Sequence, residues 1–366
     1  MSEESKDLGD DESVRLLSAN ELTVIVELWE PAGMKILVLG GTAWLGHEVT
    51  KTLLAQRHDV TCVARGSDVP EGARLVNIDR DVDDALQPLT EHSWDAVVDV
   101  ARQPGHVRRA ARDFASVAER YIFVSTGNVY ASQDQIGADE GAPLHQPLLA
   151  DTFSAPEEYG AAKVACEMAV LAAFGPDRSV IARAGLIGGP GDHTQRTTYW
   201  PWRFAHPARE ESVLTPDAPD LPVSVVDVRD LAQWLVLCID RGVSGTYNAM
   251  GPAVPFPEHL AAARHAARSS ASAVRVPEQW LQDHSVAEWG GPRSMPLWLA
   301  DRSWYGFNGR SNARAVAAGL SLRPLEETLR DGLEWRESEP IEEWKAGLED
   351  AVEESLLEDF RSRRSR

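Results

Sequence analysis

The stretch Lys35-Ile36-Leu37-Val38-Leu39-Gly40-Gly41-Thr42-Ala43-Trp44-Leu45-Gly46 is apolar through its first half after Lys35 and glycine-rich behind it. A short, unbroken apolar run is what a strand covered on both faces needs. Glycines placed directly after it permit a tight turn and close backbone approach, and helical periodicity resumes near His47. The segment therefore reads strand, turn, helix. The amino end of such a helix presents free N–H groups and the positive end of its dipole, the chemistry that holds a pyrophosphate. We read Gly40, Thr42, Ala43, Trp44, Leu45 and Gly46 as a dinucleotide-binding turn.

The same alternation continues outward. Asp59–Val63, Trp94–Val100, Tyr121–Ser125 and Ser179–Arg183 read as short buried strands, with Arg74–Ile78 as the third strand and helical periodicity in the segments separating most of the buried ones. The pattern predicts a Rossmann-like, doubly wound α/β domain with a parallel sheet over residues 34–190. Past Gly188-Gly189-Pro190-Gly191 the chain turns Pro- and Trp-rich, with a strand at Val223–Val226 and a helix at Val228–Asp240 spliced in. Residues 191–338 are expected to build mostly a smaller substrate lobe, with some elements returning to the sheet. Residues 1–33 carry nine acids and two bases without sustained periodicity, and are expected to be a disordered acidic extension. Ile341, Trp344, Leu348, Val352, Leu356 and Phe360 predict an amphipathic helix within residues 339–366, ending in the basic tail Arg361–Arg366.

Composition narrows the function. The chain has 366 residues, with 36 Lys and Arg against 57 Asp and Glu, a net charge of −21. That acidity opposes nucleic acid or anionic lipid as a partner, so any phosphate site is local. Cys62, Cys166 and Cys238 form no C-x-x-C pair and fit a reduced, cytoplasmic protein without disulfides. No apolar run nears the ~18 residues of a membrane span, and no H-E-x-x-H or clustered His suggests a metal. A small-molecule substrate and a monomer or homodimer are expected.

Two further groups carry chemistry. Tyr159-Gly160-Ala161-Ala162-Lys163 opens a predicted helix, and its i,i+4 spacing puts phenol and ammonium on one face. An ammonium beside the phenol favours phenolate, which makes Tyr159 a usable acid/base. The strand Tyr121–Ser125 delivers Ser125 and Thr126 to its carboxyl end, where ligands of open α/β sheets bind and a hydroxyl can hold a carbonyl or alcohol oxygen. Ala101, behind the Trp94–Val100 strand, belongs to the same crevice. After the second strand the usual acid is replaced by Ala64-Arg65, and an arginine there pairs with a 2′-phosphate, favouring NADP(H) with NAD(H) possible. Asp79 and Arg80 are placed to touch adenine. Tyr199, Trp200 and Arg203 are candidates to clamp a substrate ring and an anionic group.

These residues together resemble the extended short-chain dehydrogenase/reductase superfamily, in its NAD-dependent epimerase/dehydratase group, over about Met34 to Trp335. The resemblance rests on G-G-T-x-x-x-G, Asp79-Arg80, Val124–Tyr130, Tyr159/Lys163, Arg183 to Asp192, and Val226 to Ala232. It implies a Rossmann domain carrying NAD(P), with Thr126 polarising the substrate oxygen, Tyr159 exchanging its proton and Lys163 binding the nicotinamide ribose. Two positions depart from the pattern: Ala43 stands at the turn's middle glycine, and Arg65 in the usual acidic neighbourhood. The expected function is hydride transfer to or from a small carbonyl or alcohol, such as a sugar derivative. The alternatives are an NAD-dependent sugar epimerase and a non-catalytic nucleotide-binding or RNA-binding regulatory relative.

Overall fold

Ile36, Leu37, Val38 and Leu39 have no exposed surface, because this strand lies at the centre of a sheet with helices on both faces. The computed structural model describes residues 33–209, 211–339 and 344–364; the expected acidic extension, before Gly33, and Ile341 lie outside them. Six strands follow the predicted order: β1 (Lys35–Leu39), β2 (Asp59–Ala64), β3 (Arg74–Asn77), β4 (Trp94–Asp99), β5 (Ala118–Thr126) and β6 (Ser179–Ala184). The next strands are β7 (Leu186–Gly188), β8 (Ser212–Pro216), β9 (Pro222–Asp227) and β10 (Gly245–Ala249). The main sheet is parallel, in the order β10-β6-β5-β4-β1-β2-β3.

Alternation along β1 sends Ile36 and Val38 to one face and Leu37 and Leu39 to the other. The first face is covered by α1 (Trp44–Ala55) through Val49 and Leu53, and the second by α2 (Pro104–Phe114) and α3 (Tyr159–Phe174) through Val107, Phe114 and Val170. β1 pairs with β2 on one side and β4 on the other, so the chain leaves β1 and β4 in opposite directions. A crevice opens there, beyond the carboxyl ends of the strands.

After α4 (Tyr199–Ala205), the chain returns to the main sheet through α5 (Val228–Asp240), whose Leu231, Trp234 and Leu235 join the first-face core, and through β10. The remaining elements form a second layer. β9 pairs with β7 and with Ala253–Pro255, β8 pairs with Ser272–Val276, and helix α6 (Phe256–Ala266) packs beside them.

Two expectations are corrected in this layer. Tyr199, Trp200 and Arg203 are 0–2% exposed and buried within it, Trp200 against the Phe256 ring, so their side chains are spent on packing instead of opening to a cleft. The Arg203 guanidinium is spent on Asp350 at 2.7 Å and Glu353 at 2.9 Å. The terminal helix begins only at Asp350, because Ala346–Gly347 pairs with Gly291–Pro292. Gly347, at φ +129°, lies where a Cβ would come 2.4 Å from the Tyr199 ring, so that turn excludes a side chain and a helix together.

Among the described residues no helix is long and apolar enough to cross a membrane. Cys62, Cys166 and Cys238 are buried and unbridged.

Candidate active site

The predicted turn closes on itself. Gly40 adopts φ +99°, and a Cβ on Gly46 would sit 2.1 Å from the Gly40 carbonyl oxygen, so α1 can start this close only with glycine. Helix α1 begins at Trp44, earlier than expected, and its N-cap Ala43 provides no side-chain cap. Its first N–H groups therefore remain available to an anion. A cleft of about 640 Å³ spreads from this turn and is lined by Gly40, Thr42, Ala43, Arg65, Ala101 and His106 among others. A glycine-built cradle facing open helix N–H groups fits a dinucleotide pyrophosphate.

Arg65 is exposed on this cleft. Its neighbour Arg80 lines the same cleft. Arg80 makes a two-pronged pair with buried Asp99, at 2.9 and 2.8 Å, and donates to the His106 carbonyl at 2.9 Å. Asp79 is exposed and outside the lining, its carboxylate accepting from the Asp81 N–H.

Ala43, Val100 and Arg102 also line a second cleft of about 820 Å³, so the two run together at the crevice. Trp44 and Leu45 enter it from the turn, and the Trp44 indole donates to the Pro190 carbonyl at 2.8 Å. Ser125 and Thr126 come from the end of β5, and Tyr159 and Lys163 from the first turns of α3. Thr126 and Tyr159 are hydrogen-bonded through their side chains, and the Thr126 oxygen also accepts from the Asn128 N–H at 3.3 Å. Ser125 lines the wall, yet its hydroxyl is turned inward and donates to Glu167 at 2.5 Å.

Lys163 lines the same cleft and is anchored by the protein. Its amine is buried over the Phe123 ring, 4.0 Å from the centroid, and donates to the carbonyls of Ala101 at 2.8 Å and Val124 at 2.6 Å. Burial raises the Tyr159 phenol above its ordinary value; the opposing influences are led by the Arg102 charge, then the bond from Thr126. Arg102 lies 5.3 Å from the Tyr159 ring centroid. Sequence reasoning missed Arg102 and also Arg196, Trp289 and Trp304 on the far wall. For Arg102 a signal existed, since it follows β4 at the edge where ligands bind. The other three come from segments whose distance in sequence hides their neighbourhood.

The model of the NAD dependent epimerase/dehydratase family matches residues 36–249, which takes in both the glycine turn and the Tyr159/Lys163 helix. The chain belongs to this family. It is 27% identical over 262 residues to the 2'-dehydrokanamycin reductase of Streptomyces kanamyceticus, covering 68% of this chain and 71% of that one. It is 26% identical over 254 residues to the UDP-glucose 4-epimerase of Corynebacterium glutamicum, covering 59% and 74%. The solved structure of the Bordetella bronchiseptica enzyme WbmH in complex with NAD+ has the same fold, with TM-score 0.60 and 17% identity over 84% of this chain and all of that one. This family member is accordingly an NAD(P)-dependent enzyme, and its two named relatives, a reductase and an epimerase, bracket the chemistry its scaffold supports.

Proposed function

We propose that this enzyme interconverts a small carbonyl compound and its alcohol, a sugar derivative being the substrate class, with NADP(H) as the exchanging cofactor. The observation that carries the reading is the meeting of the Thr126 and Tyr159 hydroxyls on the wall of the cleft that continues into the nucleotide turn. The bound cofactor supplies or accepts the hydride. Thr126 holds the substrate oxygen, and Tyr159 gives that oxygen its proton on reduction and takes it back on oxidation. Lys163 spends two of its three N–H donors on the Ala101 and Val124 carbonyls, leaving one for the nicotinamide ribose. Trp44 and Leu45 carry the open N–H groups for the pyrophosphate, while the Ala43 N–H is bonded to the Gly40 carbonyl at 2.9 Å and closes the turn beneath it. Elimination chemistry is disfavoured, since the positions after Thr126 are Gly127 and Asn128, neither a useful acid or base. Three buried, unbridged thiols fit a cytoplasmic setting.

A second reading, an epimerase that retains NAD, draws on the carboxylate of Asp81. It is bonded at 2.6 Å to His106 on the nucleotide cleft and lies within the field of Arg65, where it would oppose a 2′-phosphate. Titrating both cofactors into wild type and Arg65→Ala separates the two. Loss of a charge-assisted phosphate contact is expected to weaken NADPH by ~1.5–3 kcal/mol and leave NADH nearly unchanged. Equal weakening, or a wild type that prefers NADH, would put the epimerase first.

A further inference from the structure

We infer that Arg102 is a positioning charge of this site: its guanidinium, laid against the ring of Tyr159, favours the phenolate from the open side of the cleft, in addition to the buried Lys163. The Lys163 amine is turned to two backbone carbonyls and to the Phe123 ring. Arg102 instead stands exposed where the two clefts join, 5.3 Å from the Tyr159 centroid and 5.7 Å from that of Phe153, rings that themselves lie 5.7 Å apart. A planar cation resting on these two faces is held in place without surrendering its charge to a carboxylate.

Among the described residues, three segments bring groups to the phenol, and His193 lines the same cleft against the Trp44 ring. Thr126 approaches from β5, Arg102 from the segment after β4, and Arg196 from the segment after β7. On α3 itself lie Lys163 and Cys166, whose thiol burial pushes up to about 11 and so keeps neutral. The two cleft carboxylates are occupied elsewhere, Glu288 accepting from the Ala300 N–H at 2.7 Å and Asp301 from the Ser303 N–H at 2.9 Å. Arg196 is drawn the other way, over the Trp289 ring and onto the Thr194 hydroxyl. Of the two arginines, Arg102 is the one whose guanidinium rests on the Tyr159 ring.

The inference rests on Tyr159 being the proton-transfer group, and its test needs no substrate. Tyrosinate absorbance is followed against pH in the full chain, with the Tyr159→Phe titration subtracted to isolate this phenol. Arg102→Gln should move its midpoint upward by about one pH unit, and Arg102→Lys should restore most of that shift. A midpoint unmoved in the Gln variant, or a Lys variant that behaves like Gln, would overturn it. Where the phenol titrates above the range in which the chain stays folded, the pH profile of kcat for alcohol oxidation replaces it. The limb set by phenolate should move to higher pH in Arg102→Gln, with KM little changed; an unmoved limb counts against Arg102. The expected titration in a chain that transfers no hydride would sink the proposed function and leave the assignment of Arg102 standing.

Discussion

In the proposed mechanism Tyr159 is the acid/base, its hydroxyl placed at the cleft wall beside Thr126. Replacing it by Phe keeps the ring under Arg102 and removes the exchangeable proton. Turnover should fall by the ~10²–10⁴ typical of a lost acid/base, with the Kd for nicotinamide nucleotide unchanged. Steady-state rates beside a fluorescence titration of the nucleotide check this, and equal turnover in the variant would remove Tyr159 from the mechanism. At this scale, legibility followed sequence distance. Tyr159 and Lys163 are four residues apart on one helix, and Thr126 ends a strand, so their placement could be read locally. The partners that redirect Arg80 and Ser125 are Asp99 and Glu167, which arrive from other elements, and nothing local to Arg80 or Ser125 announces them.

Helix α3 presents Tyr159, Lys163 and Glu167 at one residue per turn along one face, which carries the chemistry at one end and an anchor at the other. Glu167 accepts from Ser125 on β5 and pairs with Arg183 on β6 at 2.8 Å. Arg183 continues to the Tyr130 hydroxyl, which donates to Asn248 on β10. The chain of bonds thus ties the catalytic helix to three neighbouring strands. Glu167→Ala would leave the Arg183 guanidinium, 5% exposed, without its carboxylate, and is expected to cost roughly 3–5 kcal/mol in denaturant unfolding. A loss under about 1 kcal/mol would show that water replaces the pair. Strands β1, β2 and β4 to β6 were legible because each carries a run of buried apolar residues, whereas β3 offers only the half-buried Leu75 and Val76. The late start of the terminal helix was not, since Gly347 matters only through the Tyr199 ring packed on it.

Across the whole molecule, Arg203 closes a buried cluster in the second layer with Asp350 and Glu353, in place of the substrate contacts read for it. Glu353 has no exposed surface; burial raises its carboxyl to about 7, against the opposing charge of Arg203 and a bond from the Leu214 N–H. An acid whose folded-state value is raised binds its proton more tightly folded than unfolded. Its contribution is whole below the unfolded value of ~4.5 and is lost as pH rises toward 7. Glu353→Gln, which carries no titrating proton, should therefore gain on wild type as pH rises through that window, by on the order of 3 kcal/mol at most. Denaturant midpoints of both proteins from pH 4 to 8 test the sign; a gap that narrows or stays level would show that the Arg203 charge outweighs burial.

Apolar periodicity, the glycine turn and the spacing of Thr126, Tyr159 and Lys163 were enough to determine the parallel sheet, the nucleotide crevice and the family, since each depends on contacts within a strand, a turn or a helix. The identity of the cation over the phenol, the inward commitment of Arg80 and Ser125, and the burial of Tyr199, Trp200 and Arg203 were decided by tertiary structure alone. In each case a charged, hydroxyl or aromatic group has two ways to be satisfied, by ligand or by protein. Which one prevails depends on a partner such as Asp99, Glu167 or Glu353, brought there only when distant segments close on each other.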